Sequence, residues 1–359
     1  MPSSRFRSAY ASGEHTSAVL KSCLAQIDGL VAGQELGIVY FSRSLQDEAD
    51  KILDSLRDVT GIEHWVGACG GEVIGGGRLL EPTAMAILLI PIEAGQFQLF
   101  DGMPDTDPSH GFGLVHATIE ADMGNDLARW LLASDCGFYG AQVRDGLHIN
   151  NALFAGSMSG VTFGPALTIH PIISRGLTAL GPPRRITNMY GDVIAGVGGQ
   201  DPITALRADA GEILLRDPVR LREHVVAGLL NHEEADGGGE PKIEFAAITD
   251  LDDYHRRLSL DRTLHATHVQ FYRRDPTQGI ENLERALGAA IETFRQPEAA
   301  LYFMSARRGP RLFGTGHDEL SAIRSIDRNM PIIGLVTDRE VFASSDEYCS
   351  SVMLLIGRA

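Results

Sequence analysis

The sequence of 359 residues contains few cysteines and no long apolar run. Its four cysteines lie far apart and form no C-x-x-C pair, which excludes a cysteine-based zinc site and indicates a reducing compartment. No apolar run approaches the roughly 20 residues that span a bilayer, and the N-terminus lacks the apolar core of a signal peptide. These absences predict a cytoplasmic protein without membrane insertion.

Positive charge is also scarce, with 31 Lys and Arg residues against 47 Asp and Glu, which leaves a net charge of −16. Such an acidic chain argues against nucleic acid or an anionic membrane as a partner. No H-E-x-x-H metal motif occurs. Hydrophobic residues at 44% and charged residues at 22% are typical of a globular protein, and the length suggests two domains.

Glycine, by contrast, is concentrated in one stretch, residues 66–77, VGACGGEVIGGG. The spacing fits no dinucleotide loop or P-loop, and a buried strand follows where either loop requires a helix. Cys69 in the context GACGG matches the thiol form of the hydrolase elbow, which leaves a Cys69 hydrolase open. A structural turn beside a small buried cysteine is the alternative interpretation.

A strand–helix–strand–strand pattern occurs near both ends of the chain. Its first copy predicts strands at 36–41, 63–66 and 87–90 with a helix at 46–59, and its second predicts strands at 300–305, 331–333 and 351–356 with a helix at 319–326. VGACGGEV before MAILLI matches IGLVTDREV before VMLLIG. The pattern predicts an α/β fold of two related modules of mixed β-sheet flanked by helices, with an internal duplication. Gly67 and Gly334 would each end a strand where a side chain does not fit or φ is positive.

The remaining segments complete the predicted organisation. Between the two copies the sequence predicts a strand at 189–197, helices at 202–215 and 218–230, and an amphipathic helix at 281–294. Gly181-Pro182-Pro183 is the best candidate linker. The predicted division is an N-terminal extension over 1–32, a first domain over 33–185 and a second domain over 186–359.

Several segments, taken in order, resemble the FIST (F-box and intracellular signal transduction) family. In its N-terminal part, the glycine-rich signature is similar to residues 67–77 with 81–84, and the small-residue loop is similar to residues 154–160. Its C-terminal part resembles residues 190–203, 269–275 and 303–318. The resemblance covers nearly the whole chain from about Leu36. It implies an N-terminal FIST domain followed by a C-terminal FIST domain.

The resemblance implies a non-enzymatic sensory protein that binds a small ligand, proposed to be an amino acid, and relays its state to a signalling protein such as a sensor kinase. Some bacterial members are haem-binding nitric-oxide sensors, so haem is an alternative ligand, with His116, His170 or His317 as its axial residue. Cysteines of the family pattern are replaced here, at Leu177, Ser305 and Thr337. A protein-interaction scaffold without a ligand is a further alternative.

A pocket for an amino acid needs a carboxylate for the ammonium group, and an arginine or backbone N–H groups for the carboxylate. Glu72 and Glu340, at matching places in the two copies, are the predicted acids, and Arg307 or Arg308 is the predicted base. The alternative for each is a solvated loop charge. The predicted ligand-binding set, without catalytic or metal-binding residues, is Cys69, Gly70, Gly71, Glu72, Ser157, Ser159, Arg307, Arg308 and Glu340.

Overall fold

The computed structural model divides the chain into two compact units. Unit 1 contains residues 1–175 and 280–359, and unit 2 contains residues 176–279. The structure describes residues 5–27, 35–80, 82–102, 110–118, 136–144, 146–149, 152–154, 158–211, 216–231, 243–261, 263, 265–294, 297–306, 308, 319–326, 329–342, 345–347 and 350–359.

The two units do not follow the predicted division at residue 185. The C-terminal strand Ser350–Arg358 pairs along its whole length with Leu167–Arg175, which precedes unit 2 in the chain. Residues 280–359 therefore belong to unit 1, and unit 2 is an insertion in the sequence of unit 1 after residue 175. The predicted linker at residues 181–183 lies inside unit 2.

Unit 1 contains three mixed sheets. Sheet 1 uses β1 (Arg7–Ser12), β2 (Leu36–Ser42), β3 (His64–Gly70) and β6 (Ala84–Ile90), with α1 (Thr16–Gln26), a 3-10 helix (Arg43–Glu48) and α2 (Ala49–Thr60) between them. β2 and β3 are parallel, β6 is antiparallel to β2, and β1 is antiparallel to β6. A short hairpin of β4 (Glu72–Gly75) and β5 (Arg78–Leu79) separates β3 from β6.

Sheets 2 and 3 repeat this pairing pattern. Sheet 2 contains β7 (Phe97–Asp101), β8 (Phe112–Thr118), β9 (Gly137–Val143) and β12 (Met158–Phe163), with a hairpin of β10 (Leu147–Ile149) and β11 (Ala152–Phe154) following β9. Sheet 3 contains β13 (Leu167–Arg175), β21 (Ala299–Ser305), β22 (Ile332–Thr337) and β25 (Ser350–Arg358), with α5 (Pro276–Phe294), α6 (Glu319–Ile326) and a hairpin of β23 (Arg339–Phe342) and β24 (Ser345–Glu347). β8 and β9 are parallel, as are β21 and β22.

Each hairpin leaves its own sheet and completes another. β10 pairs with β3 of sheet 1, β23 pairs with β9 of sheet 2, and β4 pairs with β22 of sheet 3. Every sheet thus has six strands, four of its own and two from another sheet's hairpin. The α/β fold with mixed sheets flanked by helices is confirmed. The described residues form three mixed sheets with this pairing pattern rather than two, and the internal duplication stays a prediction from the sequence.

One apolar core joins the inner faces of the three sheets. Ile38 of sheet 1, Leu114 of sheet 2 and Leu301 of sheet 3 all belong to it and are fully buried. The outer faces have separate cores: α1 and α2 cover sheet 1, and α5 and α6 cover sheet 3. Strands that are apolar on both faces agree with this double coverage.

A glycine lies inside the second parallel strand of each sheet. Gly67, Gly140 and Gly334 lie opposite Val39, Val115 and Tyr302 of the neighbouring strands. A Cβ at Gly334 would overlap the Tyr302 carbonyl oxygen, and one at Gly140 would overlap the Val115 oxygen. The prediction that Gly67 and Gly334 end their strands is wrong, because both lie within strands. At Gly334 the requirement is close backbone approach, as the overlap indicates.

Unit 2 is an antiparallel barrel rather than a mixed sheet. Its elements are β14 (Leu177–Ala179), β15 (Arg184–Tyr190), β16 (Val193–Val197), α3 (Pro202–Ala210), α4 (Pro218–His224), β17 (Val225–Leu230), β18 (Ile243–Asp252), β19 (Arg257–Leu260) and β20 (His268–Arg274). Strand β20 pairs with β17 along one edge and with β14 and β15 along the other, so the sheet closes on itself. Closure removes the exposed strand edges.

Two elements of unit 2 differ from their predictions. The predicted helix over 218–230 ends at His224, and residues 225–230 form a fully buried strand. Its sequence, VVAGLL, begins with two β-branched valines and is apolar throughout, and such a short run does not distinguish a buried helix from a buried strand. The predicted strand over 189–197 is interrupted at residues 191–192 by the turn of the β15–β16 hairpin, where Gly191 has a φ of 60°, and its remainder is strand. Within the described residues no helix is both long and apolar enough to cross a membrane.

Gly334→Ala is expected to lower the free energy of unfolding of unit 1 by about 3 kcal/mol, because the added methyl group can be accommodated only by separating β21 from β22. Both tryptophans of the chain belong to unit 1, so urea denaturation followed by tryptophan fluorescence reports this unit. Gly71→Ala is the control, since a Cβ there meets no atom within 4 Å. It should change stability by less than about 0.5 kcal/mol. Equal loss in both variants would contradict the close-approach argument.

Candidate functional site

The parallel strands of the three sheets end in polar residues. On the inner faces, β2 ends at Ser42, β8 at Thr118 and β21 at Ser305, while the residues that precede them in the shared core are mostly apolar. Ligands of α/β proteins usually bind outside the carboxyl ends of such strands. This end of unit 1 is therefore where a binding site is expected.

Three rings show that the three sheets meet near this end. Tyr40, His116 and Phe303 each stand two residues before the end of β2, β8 and β21. Their ring centroids lie 5.5, 5.9 and 6.3 Å apart, in edge-on contacts. Tyr40 Oη and His116 Nε2 form a hydrogen bond of 2.9 Å. Complete burial raises the pKa of Tyr40 well above its ordinary value, so its hydroxyl stays protonated.

A row of polar side chains crosses the inner face of sheet 2 at the level of His116. Glu340 lies opposite Ala141, Ala141 opposite His116, and His116 opposite Ser159. Residues paired in this way project from the same face of a sheet, with neighbouring strands about 4.8 Å apart. We call Glu340, His116 and Ser159 the polar row. All three are fully buried, and Ala141, between Glu340 and His116, has only a methyl side chain.

The two ends of the polar row have different hydrogen bonding. Glu340 Oε1 accepts a hydrogen bond of 2.8 Å from the Thr337 hydroxyl, which stands three residues earlier in the chain. Ser159 Oγ is buried without a hydrogen-bond partner among the described residues. A buried hydroxyl without a partner costs about 1–3 kcal/mol. A water molecule or a ligand at this position would remove that cost.

Glu72 and Glu340 do not occupy equivalent places, although the sequence suggested that they do. Val73 faces Leu335 in the hairpin pairing on sheet 3, as Glu340 faces Ala141 on sheet 2, so Val73 is the counterpart of Glu340. Glu72 is exposed and corresponds to Arg339. A difference of one residue along a strand places a side chain on the opposite face of the sheet.

Cys69 lies away from the polar row. It belongs to the core between sheet 1 and its helices, on the face opposite to the shared core, and is fully buried. Gly70 lies on the inner face, where a Cβ would stand 2.8 Å from Leu335 Cδ2, and Gly71 is exposed. The elbow predicted around Cys69 is therefore the end of a strand, β3, with the cysteine directed into a helix-covered core.

Arg308 is held in a buried ion pair rather than at the polar row. Its Nη2 contacts Glu319 Oε1 at 2.5 Å and its Nε contacts Oε2 at 3.1 Å. The same guanidinium donates to the carbonyl and the hydroxyl of Ser174, and Ser351 Oγ donates to Glu319 at 2.9 Å. Since Ser351 precedes the inward-facing Val352 in β25, this cluster lies on the outer face of sheet 3.

Tyr302, also on this outer face, is fully buried. Burial, with a further contribution from the negative charge of Glu319, raises the pKa of Tyr302 well above its ordinary value. Glu319, Ser174 and Ser351 could not be identified from sequence patterns, because none of them is close to Arg308 in the chain. Ser157 and Arg307, also predicted, lie outside the described residues.

The structure describes two of the three histidines predicted as axial haem ligands, and haem stays an alternative. His116 Nε2 is hydrogen-bonded to Tyr40, and its fully buried ring contacts the rings of Tyr40 and Phe303. His170 lies against Phe294 at a centroid distance of 6.2 Å, and His317 lies outside the described residues. In the part of the chain that the structure describes, no three His, Cys, Asp or Glu side chains group as metal ligands.

Iodoacetamide is expected to label Cys69 only after unfolding, because its sulfur is inaccessible. Cys23 and Cys136 serve as internal references, since burial raises the pKa of each to about 12. Peptide mass spectrometry of native and urea-treated protein compares the three rates. Fast, selective labelling of Cys69 in the native protein would contradict this placement and support the hydrolase alternative.

Glu319→Gln should lower the free energy of unfolding by about 3–5 kcal/mol, because it leaves the Arg308 charge buried without a counter-charge. The matched control is the double variant Arg308→Met with Glu319→Leu, which removes both charges and should recover most of that loss. Urea denaturation followed by tryptophan fluorescence measures both. A double variant as unstable as Glu319→Gln would show that the loss does not come from an unpaired charge.

Part of the chain matches the model of a known protein family. Residues 35–200 match the FIST N domain. Two relatives, uncharacterised proteins of Mycobacterium bovis and Mycobacterium tuberculosis, are each 24% identical over 180 residues, which is 49% of this chain and 46% of the relative. The chain thus spans about half the length of these relatives. FIST domains are generally small-ligand sensory domains of signalling proteins. A FIST N domain is therefore present at residues 35–200.

Proposed function

We propose that this protein is a sensor that binds a small molecule at the polar row and passes its state to a signalling protein such as a sensor kinase. The FIST N domain supports the sensory role. The observation that carries the site is Ser159, whose fully buried hydroxyl has no partner among the described residues. A bound ligand that accepts or donates a hydrogen bond there would satisfy it.

The charge of the row favours a ligand with an ammonium group, as an amino acid has. Glu340 is a fully buried acidic side chain whose Oε1 accepts a hydrogen bond from the Thr337 hydroxyl. A charge-assisted hydrogen bond to such a carboxylate is stronger than a neutral one. Arg308 does not fit the second role predicted for it, because its guanidinium is bonded to Glu319 on another face. The ligand carboxylate would therefore be bound by hydroxyl or backbone N–H groups.

Signalling would follow from the position of the row where three sheets meet. Glu340 belongs to a hairpin that leaves sheet 3 and pairs with sheet 2. A ligand that contacts both Glu340 and Ser159 would hold this hairpin to β12 through sheet 2. It would favour the arrangement in which both contacts are made, and shift the population toward it by its difference in affinity.

The test is a thermal-shift screen of the purified protein against the common amino acids, related metabolites and haemin. A ligand at a hundred times its Kd should add about 2.7 kcal/mol of stability, which corresponds to a rise in Tm of roughly 5–10 °C. Glu340→Gln keeps the shape and the acceptor for Thr337 but removes the charge. It should weaken binding of an ammonium ligand by roughly tenfold or more.

Glu72→Gln is the matched control, since it removes the same charge from an exposed position on another sheet, and binding should be unchanged. Ser159→Ala should weaken binding without lowering the stability of the free protein, because its hydroxyl has no partner to lose. An amino acid that binds equally well to the wild type and to Glu340→Gln would contradict the site. A response to haemin alone would favour the gas-sensor alternative, and no response at all would favour the scaffold.

A further inference from the structure

A second site lies elsewhere on unit 1, in a cleft of about 560 Å³ beside the glycine-rich hairpin. The cleft is lined by Tyr10, Gly76, Arg78, Ser321, Arg324 and Ser325. Two of these six residues are arginines and none is an acid. The size is in the range of small-molecule sites. In a chain with a net charge of −16, a concave surface whose described lining has two arginines and no acid favours an anion.

The first arginine is positioned by the turn of the glycine stretch. Gly76 and Gly77 join β4 to β5 with φ values of 58° and 66°, the backbone of a two-residue hairpin turn that glycine favours. Arg78 follows the turn directly, and its guanidinium carbon lies 5.5 Å from the centre of the Tyr10 ring. This cation–π contact holds the guanidinium over the Tyr10 ring.

The second arginine reaches the cleft from α6. Ser321, Arg324 and Ser325 are spaced by three and four residues and so lie on one face of the helix. A Cβ at Gly77 would stand 2.6 Å from Arg324 Cγ, so the absence of a side chain at Gly77 lets the arginine stem pass against the turn. Arg78 and Arg324 form no ion pair with a carboxylate of the described residues.

The hydroxyl groups of the cleft complete a set of donors. Tyr10 and Ser321 line the cleft and each carries a hydroxyl group. The Ser325 hydroxyl already donates to the Ala322 carbonyl at 2.6 Å. Two guanidinium groups offer paired N–H donors and two positive charges. A phosphoryl group has three terminal oxygens and a charge near −2 at neutral pH. A carboxylate has two oxygens and one charge, and would leave part of this set unused.

We propose that this cleft binds the phosphoryl group of a small phosphorylated molecule, with Arg78 and Arg324 as its anion-binding residues and Tyr10 and Ser321 as hydroxyl donors. The glycine stretch thus contributes to anion binding, although it does not form a phosphate loop. Its turn positions Arg78, and Gly77 leaves space for the side chain of Arg324. The site is independent of the polar row, and neither proposal requires the other.

Isothermal titration calorimetry at low salt tests the proposal with phenyl phosphate, inorganic phosphate and phenylacetate as probes. Phenyl phosphate should bind saturably, and phenylacetate should bind about tenfold more weakly or not at all. If inorganic phosphate binds as tightly as phenyl phosphate, the phosphoryl group alone is recognised; if only phenyl phosphate binds, an ester is required. Both results support the proposal. Phenylacetate binding as tightly as phenyl phosphate would overturn the assignment to phosphoryl groups.

Variants locate the site. Arg78→Gln and Arg324→Gln should each raise the Kd of phenyl phosphate by about tenfold or more, and Ser321→Asp should abolish binding by placing a negative charge in the cleft. All three positions are exposed, so folding should be preserved, which a thermal melt verifies. Arg220→Gln, an exposed arginine of unit 2, is the matched control and should bind as the wild type does.

Unchanged binding in the double variant Arg78→Gln with Arg324→Gln would overturn the proposal. Glu340→Gln should bind phenyl phosphate as the wild type does, because Glu340 does not line the cleft. This result would distinguish the cleft from the polar row.

Discussion

The inner faces of three sheets pack into one apolar core, and the other features of unit 1 depend on this contact. Each sheet has its inner face filled by side chains of the other two, so strands that are apolar on both faces are required throughout. The core also brings Tyr40, His116 and Phe303 together, although they are far apart in the chain. The polar row lies at this level and is fully buried where the sheets meet.

Much of the local structure could be predicted from the sequence. The strand at 36–42 and the helices at 49–60 and 319–326 match their predictions closely, because apolar periodicity directly reports which face of an element is buried. The prediction failed at residues 225–230, because this apolar segment is too short for its periodicity to distinguish a helix from a strand. The arrangement over residues 97–163 was missed because no sequence pattern linked it to the other two.

The candidate sites were less predictable, because they depend on register and on distant partners. Glu72 and Glu340 were matched because both are glutamates in similar sequence contexts. The strand pairing shows instead that Val73 takes the place equivalent to Glu340. Arg308 was predicted to bind the ligand carboxylate. Its actual partner, Glu319, is separated from it by ten residues, so no local pattern indicated the ion pair. The Arg78–Arg324 cleft joins residues 246 positions apart, and no local pattern reveals such a pair. Glu340 and Arg308 were singled out from the sequence without their neighbours, and Arg78 and Arg324 were not singled out.

The exchange of hairpins among the sheets has a consequence for how unit 1 loses its structure. Sheet 1 is completed by a hairpin that follows β9, sheet 2 by one that follows β22, and sheet 3 by one that follows β3. The exchange forms a closed cycle, so detaching any sheet breaks main-chain pairing in both of the others. Partial opening therefore carries nearly the cost of complete unfolding, and the three sheets should behave as one cooperative folding unit.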